Sequence, residues 1–475
     1  MNDTRSFVNE AASRGRYVNT GNGPKFQLLD IGHPDYLALI EGSTAFWSLI
    51  EKERAGALFC SDALVASYRE QVEDFAAEMN TLRFGLQPGA VYFNPTDLCN
   101  MSCSYCYIPD EIRAHGQHMS TSRLIDSLEK LRLFFEANGT ASKRLPQIVF
   151  HGAEPLMNRD AVFAAIASFK DVFEFGIQTN GTLLDDEAAA FFIENEVGIG
   201  LSLDSADAVG SDRTRHTRNG KSVHARVLDA IDRLVGYENF SVIATVTAMN
   251  IDRLTALVSF FHEVGVPVCM LNPVRCTLPG GRAVKPADHE LVKPYLAALE
   301  LSRELFERSG RKLVIANFAN ILLGIVAPTA RRLMCDISPC GGGRCFFAVS
   351  ANGDLFPCSE FIGLDAFRGG NLFDGTIDDA LNSAPFKRVT ARTVEDIQPC
   401  AHCAVRHFCG APCPAEAFTA TGDLRTPGAF CELYEAQIRY AFRVLADGDH
   451  AAYLYNGWDE GLEDTFEFGS SGKAR

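Results

Sequence analysis

Short apolar runs alternate with amphipathic stretches along most of the chain from residue 89 onward. Segments such as Leu124–Phe135 and Val227–Leu234 carry apolar residues at the spacing of a helix packed on one face. Strands joined by helices favour parallel pairing with right-handed crossovers, so the pattern predicts an open or closed β/α barrel. The six predicted strands are Val91–Asn94, Ile148–His151, Phe175–Thr179, Ile199–Leu203, Val242–Val246 and Val268–Leu271.

Before residue 89 the pattern differs and predicts a separate unit. Two short strands, Phe26–Ile31 and Tyr36–Ile40, are expected around a turn. Three helices are expected to follow, and the first of them would carry the apolar residues of 46–50. Their predicted starts are Ser43, Asp62 and Val72. The turn-forming residues Gln87-Pro88-Gly89 are expected to end this unit.

Polar residues follow five of the six predicted strands. Barrel enzymes build their sites at the C-terminal ends of parallel strands, so these segments predict one shared site. The segments are the cysteine loop after the first strand, then Gly152–Pro155, Gln178–Gly181, Ser202–Asp204 and Asn272-Pro273.

The cysteine loop has the spacing Cys99-x₃-Cys103-x₂-Cys106. Thiolates two or three residues apart reach one metal centre, and three protein ligands leave a coordination position open. An open position distinguishes a reactive metal centre from a closed structural one. The alternative is a zinc knuckle, completed by His115 or His118.

A second group of nine cysteines lies between residues 335 and 431. Twelve residues separate Cys340 from Gly353, and four residues separate that glycine from Cys358. The run Cys400-x₂-Cys403-x₅-Cys409-x₃-Cys413 comes next, and Cys431 stands alone. With Cys345, eight thiols suffice for two four-iron clusters. The alternative is a pair of zinc ribbons that include His402 and His407, and Cys335 is either a spare ligand or a thiol facing the substrate.

Composition narrows the function classes. A net charge of −16 over 475 residues argues against nucleic-acid binding and against acidic membrane surfaces, while it would attract a basic peptide. No signal peptide is expected in Met1–Gly15, and no apolar run approaches a membrane span, so a cytoplasmic protein is expected. Fifteen cysteines in that reducing compartment favour metal ligation over disulfides. Cys60, Cys269 and Cys276 are expected to be buried apolar residues.

The loop Cys99–Cys106, with Tyr105 before its last cysteine, resembles the signature of the radical S-adenosylmethionine enzymes. The resemblance implies a partial (β/α)₆ barrel and a [4Fe–4S] cluster on the three thiols. The fourth iron of that cluster would bind S-adenosylmethionine. An electron from the reduced cluster would cleave this cofactor to a 5′-deoxyadenosyl radical, and flavodoxin or ferredoxin would be the donor.

The same resemblance implies contacts to S-adenosylmethionine. Gly152-Ala153-Glu154-Pro155 is similar to the family's Gly-Gly-Glu-Pro segment, which receives the amino group of the cofactor. Ala153 replaces the second glycine, and Glu154 is alternatively a solvated loop acid. Arg215 would pair with the methionine carboxylate. Further implied contacts are Tyr105, Gln178, Asn180, Ser202 and Asp204, of which Ser202 and Asp204 are alternatively turn residues.

The second cysteine group resembles the SPASM domain of peptide-modifying radical enzymes. By that resemblance Cys340, Cys345, Cys358 and Cys413 hold one auxiliary [4Fe–4S] cluster, and Cys400, Cys403, Cys409 and Cys431 hold another. Such enzymes act on peptides or proteins. Fully ligated auxiliary clusters would accept the electron left on the product radical.

The resemblance implies two candidate reactions, formylglycine formation and thioether formation. Formylglycine-forming sulfatase maturases typically carry Asp directly after the cysteine that corresponds to Cys358, whereas this chain has Ser359 and then Glu360. Thioether-forming maturases, including the quinohemoprotein amine dehydrogenase type, therefore fit better, with Glu360 or Asp354 as the base for a substrate thiol. The non-enzyme alternative is an iron–sulfur protein that relays electrons or serves as a scaffold.

The N-terminal unit resembles the winged-helix peptide clamp known as the RiPP recognition element, which implies capture of a substrate peptide; an ordinary packing domain is the alternative. The expected fold is α/β, with this winged-helix-like domain before the barrel and the SPASM domain after it. The predicted divisions are 1–88 for peptide recognition, 89–280 for the barrel, 281–334 for a helical linker, 335–447 for the SPASM domain and 448–475 for a tail.

Overall fold

The computed structural model describes residues 17–18, 25–58, 62–139 and 145–459. The strands are β1 Tyr17–Val18, β2 Phe26–Leu29, β3 Tyr36–Glu41, β4 Phe46–Glu51, β5 Ala90–Phe93, β6 Gln147–Phe150, β7 Glu174–Thr179, β8 Gly198–Ser202, β9 Phe240–Val246, β10 Val268–Pro273, β11 Val314–Ile315, β12 Phe346–Val349, β13 Asp354–Phe356 and β14 Gly370–Asn371. The α-helices are Lys52–Leu58, Asp62–Asn80, Asp110–His115, Thr121–Asn138, Arg159–Phe169, Asp186–Glu194, Ala208–Asp212, His224–Leu234, Leu254–Glu263, Pro279–Ala283, Asp288–Ser309, Ala316–Val326, Ile377–Leu381, Ala384–Thr390, Arg406–Cys409, Pro414–Thr421 and Cys431–Asp447.

The larger sheet has the order β11-β10-β9-β8-β7-β6-β5-β12-β13-β14. All six predicted strands, β5 to β10, are present, and each pairs in parallel with the next along the chain. The sheet is open, since no pairing among the described residues joins its two ends. The mixed α/β fold with a large parallel sheet is therefore confirmed.

Two parallel strands extend the sheet beyond the six predicted ones. β11 joins β10, and β12 joins the other side of β5. β11 is only two residues long, and β12, although its sequence FFAV is apolar, directly follows Cys345 within the second cysteine group, outside the strand–helix alternation. The pairing of β12 with β5 attaches the second cysteine-rich region to the strand that leads into the first cysteine loop.

The N-terminal unit corrects one predicted element. Residues 46–51 form strand β4 rather than a helix, in an antiparallel sheet of order β1-β2-β3-β4. Phe46 and Ile50 pack with Phe26 on one face, while Trp47 and Leu49 pack against the main core on the other. Because both faces of the strand are covered, its apolar spacing matches that of a helix. The two helices predicted to start at Asp62 and Val72 form a single helix, Asp62–Asn80, which is followed by one π-helical turn.

This unit packs on the C-terminal region. The Trp47 indole donates to the Ile325 carbonyl at 2.9 Å, and its ring lies 5.5 Å from that of Phe442. The Arg83 side chain donates to the carbonyl of Ser338 at 2.6 Å. Residues 26–86 therefore share a core with the region of the second cysteine group, and removing them would expose it.

The predicted tail is also corrected in its first part. Tyr453, Leu454 and Tyr455 are buried, and the hydroxyls of Tyr440 and Tyr453 lie 2.6 Å apart. Residues 448–459 thus belong to the packed structure, because their apolar side chains cover the helix Ala316–Val326 and its neighbours. Cys60 lies outside the described residues. In the described part of the chain, no helix is both long and apolar enough to span a bilayer.

Candidate active site

A cavity of about 340 Å³ lies at the C-terminal ends of the parallel strands, where they face the second cysteine-rich region. Its lining includes Cys99, Cys103 and Cys106 from the first cysteine loop, and Cys358 and Glu360 from the second cysteine-rich region. The predicted position of the site, at the ends of the strands, agrees with this cavity. These two sets of lining residues come from segments that are more than two hundred residues apart in the sequence.

The cysteine loop is fixed from outside by a neighbouring loop. Ser102 N donates to the His216 carbonyl at 2.9 Å, and Ser104 N donates to the Thr214 carbonyl at 3.0 Å. Gly280 lies so close that a Cβ there would be 2.1 Å from the Ser104 carbonyl oxygen. The short helix Pro279–Ala283 therefore packs on this loop, and only glycine fits at residue 280.

The three loop thiols are buried, and burial raises the pKa of Cys99 to about 12 and that of Cys106 to about 11. Desolvation also raises the pKa of Cys103. Thiolates in such a place need a cation beside them, and metal binding supplies it by displacing the protons. The donor set therefore fits a metal centre better than free thiols.

Tyr105, Asp204 and Arg215 form one buried network. The Tyr105 hydroxyl donates to Asp204 Oδ2 at 2.6 Å, and Arg215 Nη1 donates to the Tyr105 oxygen at 2.7 Å. Asp204 Oδ1 also accepts from the Thr245 backbone N–H at 2.9 Å. Asp204 is buried and does not line the cavity, so it holds Tyr105 and the Thr245 backbone in place rather than making the predicted contact to S-adenosylmethionine.

Arg215 does line the cavity, and its Nε is buried without a hydrogen-bond partner. A buried guanidinium N–H without an acceptor is costly, so it marks a place for an anionic group. This arrangement fits the predicted pairing of Arg215 with the methionine carboxylate. Burial disfavours the charge, but Tyr105, Cys103 and Asp204 keep the pKa of Arg215 above its usual range.

Gly152 and Ala153 line the cavity, whereas Glu154 and Pro155 do not. Gly152 has φ 99°, and a Cβ there would lie 2.2 Å from the Asn94 side chain, so this position requires glycine. Neither constraint is found at Ala153, which explains why alanine is accepted at that position. Of the four residues in this segment that were predicted to contact the cofactor, only Gly152 and Ala153 reach the cavity.

Glu154 joins two loops from within the core. It is fully buried, and its carboxylate accepts from Thr179 Oγ1 at 2.7 Å and from the N–H groups of Asn180 and Leu156. Desolvation raises its pKa, and these hydrogen bonds oppose the rise. Glu154 is therefore neither a solvated acid nor a wall residue, which corrects its predicted cofactor contact.

Three other predicted contacts, Gln178, Asn180 and Ser202, line the cavity. Asn180 Nδ2 lies 2.9 Å from Asn100 Oδ1 and 3.9 Å from Cys99 Sγ. This amide therefore ties the end of β7 to the cysteine loop and sets the orientation of the first thiol.

The structure places the other thiols near one another in the two predicted groups, and Cys335 lies with the first group, close to Cys340 and Cys358. In the first, burial raises the pKa of Cys345, Cys358 and Cys413, and the nearby Cys340 raises it further. In the second, burial raises the pKa of Cys400 and Cys409, and Cys431 adds to the rise. Burial likewise raises the pKa of Cys403, and the Cys400 thiol contributes.

The thiol geometry bears on the zinc alternatives. Across the described residues, no three His, Cys, Asp or Glu side chains converge on a single ion. In an iron–sulfur cluster the cysteines bind different irons, so their sulfurs stand wider apart than around one zinc. His115 and His118 are exposed and do not line the cavity, so neither completes a zinc knuckle with the loop thiols.

Of the two predicted carboxylate bases, the structure brings only Glu360 to the cavity. Desolvation raises its pKa to about 7, although Arg275, 3.6 Å away, opposes the rise. Glu360 Oε2 is buried without a hydrogen-bond partner. Asp354 is instead held in a turn by Asn352 and Asn371 at 2.9 Å each, which corrects its predicted role as a base.

Several wall residues were not predicted. His151 directly follows strand β6, and its ring stacks on that of Tyr107 with the centroids 6.1 Å apart. Burial lowers the pKa of His151 to about 4, so it is neutral. Its position directly after a strand could have identified it. Tyr434 and Gln437 come from the helix Cys431–Asp447, where no sequence pattern points to the cavity. Cys335 also lines the cavity and lies close to Cys340 and Cys358, so both of its predicted roles, a spare ligand and a thiol facing the substrate, stay predictions.

An open parallel sheet, a cysteine loop at the end of its first strand and a second group of buried thiols define a radical S-adenosylmethionine enzyme. The chain belongs to the radical SAM superfamily, whose family description matches residues 93–260. It also carries the SPASM iron–sulfur cluster-binding domain, matched over residues 340–404.

Relatives support this membership. An uncharacterized protein of Archaeoglobus fulgidus is 41% identical over 404 residues, which cover 85% of this chain and 91% of that protein. A cysteine-type anaerobic sulfatase-maturating enzyme of Clostridium novyi is 24% identical and covers 74% of this chain and 96% of its own length. The mycofactocin maturase MftC of Mycolicibacterium smegmatis is 24% identical, over 71% of this chain and 80% of its own.

Solved structures support the fold. The structure described as anSMEcpe with bound AdoMet has a TM-score of 0.66 at 20% identity, and covers 79% of this chain and 98% of its own. SuiB of Streptococcus suis, bound to the precursor peptide SuiA, has a TM-score of 0.55 at 12% identity, over 84% and 96% of the two chains. The chain is thus a radical S-adenosylmethionine enzyme of the SPASM type, a class that modifies peptides or proteins.

Proposed function

We propose that this enzyme forms thioether crosslinks in a peptide or small protein, by joining a cysteine sulfur to a carbon of another residue. The observation that carries the proposal is Glu360, which faces the cavity with an unpartnered carboxylate oxygen. A substrate thiol is acidic enough to give its proton to such a carboxylate, and general bases of this kind act within hydrogen-bond reach. Residue 359, directly after Cys358, is a serine and cannot serve as that base.

Three [4Fe–4S] clusters and S-adenosylmethionine are the proposed cofactors. Cys99, Cys103 and Cys106 would hold the cluster that binds S-adenosylmethionine, with Arg215 and the Gly152-Ala153 segment as contacts for that cofactor. When bound, these groups supply a radical that removes hydrogen from unactivated carbon. The buried walls of the cavity exclude water and unwanted hydrogen donors from that radical. The two remaining thiol groups would each hold an auxiliary cluster.

Formylglycine formation is the second candidate, and the resemblance to cysteine-type and serine-type sulfatase-maturating enzymes favours it. Both reactions need a base beside the substrate, so the position of Glu360 suits either. For a cysteine substrate the two reactions differ in what is lost, so the product mass distinguishes them. Conversion of a serine to formylglycine also removes two hydrogens, but it leaves the substrate thiol free for alkylation, whereas a thioether does not.

The product mass tests the proposal directly. Each thioether removes one hydrogen from carbon and one from sulfur, so the peptide should become about 2 Da lighter per crosslink. The loss should persist in dithiothreitol, because a C–S bond does not undergo thiol–disulfide exchange. The measurement is mass spectrometry of the Cys-containing polypeptide encoded beside the gene, before and after reductant.

Two other outcomes contradict thioether formation. Recovery of the lost mass on reduction would indicate a disulfide. A loss of about 18 Da, with the sulfur replaced by an aldehyde oxygen, would indicate formylglycine.

The N-terminal sheet is the proposed site of peptide capture. Strand β4 pairs only with β3 among the described residues, so its other edge can accept an added strand. Because this unit shares a core with the C-terminal region, deleting it would damage the fold, and a measurement on the intact chain is required.

Hydrogen exchange on the intact chain provides that measurement. Adding the candidate polypeptide should slow amide exchange in β4, since strand addition gives its free backbone groups partners. Strand β14, which ends the larger sheet, is the matched control and should keep its exchange rate. Equal protection of both strands, or of neither, would contradict capture at β4.

A further inference from the structure

The segment 213–226 stands out in an acidic chain. It carries five Arg and Lys residues and no Asp or Glu, whereas the whole protein has 44 basic and 60 acidic residues. Four of these cations are exposed, and only Arg215 is buried in the active site. The four are Arg213, Arg218, Lys221 and Arg226. A cluster of cations against a strongly negative background has a local potential that attracts acidic partners.

This basic segment lies directly on the outside of the first cysteine loop. Besides the two backbone hydrogen bonds to Ser102 and Ser104, Arg218 Nε donates to the Cys99 carbonyl at 3.0 Å. Val223 packs in one apolar cluster with Cys99 and Cys103. A protein seated on the basic segment would therefore be separated from the loop thiols by one layer of chain.

The exposed cations are available to a partner. Arg213, Lys221 and Arg226 make no ion pair with any described residue. Arg218 Nη1 lies 3.4 Å from Asp110 Oδ1, and this carboxylate also pairs with Arg113. None of these four side chains lines the cavity. A substrate residue that reacts inside the cavity would therefore not touch these cations. This separation disfavours an acidic substrate peptide as the occupant of the segment.

We propose that residues 213–226 form the docking surface for an acidic one-electron carrier protein that reduces the cluster on Cys99, Cys103 and Cys106. One electron leaves the reduced carrier and the cluster gains it, so no other reactant is needed. Complementary charge steers such encounters and raises their rate, and redox partners use small, transient interfaces. The proposal rests on the radical chemistry of the family and not on thioether formation.

Charge reversal tests the proposal. The variant carries Arg213→Glu, Lys221→Glu and Arg226→Glu, and the control carries Lys170→Glu, Lys293→Glu and Lys387→Glu. The control positions are also exposed cations, and both variants change the net charge equally. Binding of reduced flavodoxin to the holoprotein is measured by titration, and cluster reduction is followed by stopped-flow absorbance without substrate.

At low ionic strength, the surface variant should lose about tenfold or more in affinity and reduction rate, while the control stays near wild type. At high salt the two variants should converge, because screening removes the steering. Reduction by dithionite, together with iron content, should be unchanged in both, which shows that each variant is folded and loaded. The milder variant with Gln at the same three positions should give an intermediate loss.

Three outcomes would overturn the proposal. The first is flavodoxin binding and reduction that match wild type in the surface variant. The second is an equal loss in the control, which would indicate net charge alone. The third is lost binding of substrate polypeptide with reduction by flavodoxin intact, which would assign the segment to an acidic peptide. A failure of crosslinking with normal reduction would instead count only against the proposed reaction.

Discussion

Replacing Cys99, Cys103 and Cys106 with alanine should remove about four of about twelve irons from the reconstituted protein and abolish cleavage of S-adenosylmethionine. All three thiols line the cavity, so the triple variant removes every thiol of the first cysteine loop. The remaining eight thiols lie in separate groups and should keep their iron. Iron analysis and 5′-deoxyadenosine formation with dithionite under anaerobic conditions provide the two measurements.

The matched control is Cys269→Ala. This thiol is buried in strand β10 and packs in the core, outside the cavity lining. The control variant should keep its full iron content and its cleavage rate. Undiminished cleavage in the triple variant would contradict the cluster assignment. A wild-type protein that made no 5′-deoxyadenosine would instead favour a non-catalytic iron–sulfur protein.

The parallel sheet was predictable because its strands are buried on both faces. Val91, Ile148 and Val242 are fully buried, and such strands give continuous apolar runs bounded by polar loops. The same two-sided burial misled the prediction at β4, where Phe46 and Trp47 pack on opposite faces. Apolar spacing alone does not separate a doubly covered strand from a helix.

The spacing of the motifs identified the cysteines, but it did not show which of the nearby polar residues contact a ligand and which hold other side chains. Glu154 and Asp204 follow strands, as cavity residues do, yet both are used to hold other side chains. Arg215, eleven residues beyond Asp204, is the member of that network with a free N–H at the cavity. Which end of a buried network faces the ligand depends on the relative placement of loops, and spacing in sequence does not contain that information.

The cavity lining that comes from the C-terminal region could be predicted only in part, because packing between distant segments brings it together. Cys358 and Glu360 were found through their motif, whereas Tyr434 and Gln437 enter from a helix whose apolar face is ordinary. Arg275 illustrates the same dependence, since it reaches both Glu360 at 3.6 Å and Glu416 at 3.5 Å. These three side chains come from segments that lie far apart in the sequence, and the fold alone brings them together.

Glu360→Gln should separate radical formation from product formation. Glutamine keeps the size of the side chain but cannot accept a proton from a substrate thiol, so peptide modification should slow by about 10²–10⁴-fold. Formation of 5′-deoxyadenosine should continue, since Glu360 belongs neither to the Cys99–Cys106 loop nor to the predicted contacts of S-adenosylmethionine. The measurement is the ratio of modified peptide to 5′-deoxyadenosine, with iron content checked in the same sample.

Asp354→Asn is the matched control, because it makes the same chemical change four residues before Cys358 rather than two residues after it. The Asp354 carboxylate accepts from Asn352 and Asn371 in a turn and does not reach the cavity, so this variant should modify peptide at a rate close to wild type. Asp354→Asn can lower stability by about 1 kcal/mol through its lost charged hydrogen bonds, which thermal unfolding would detect. A base role for Glu360 requires that the two variants differ in coupling. If both keep the wild-type ratio of product to 5′-deoxyadenosine, the proton of the substrate thiol leaves by another route.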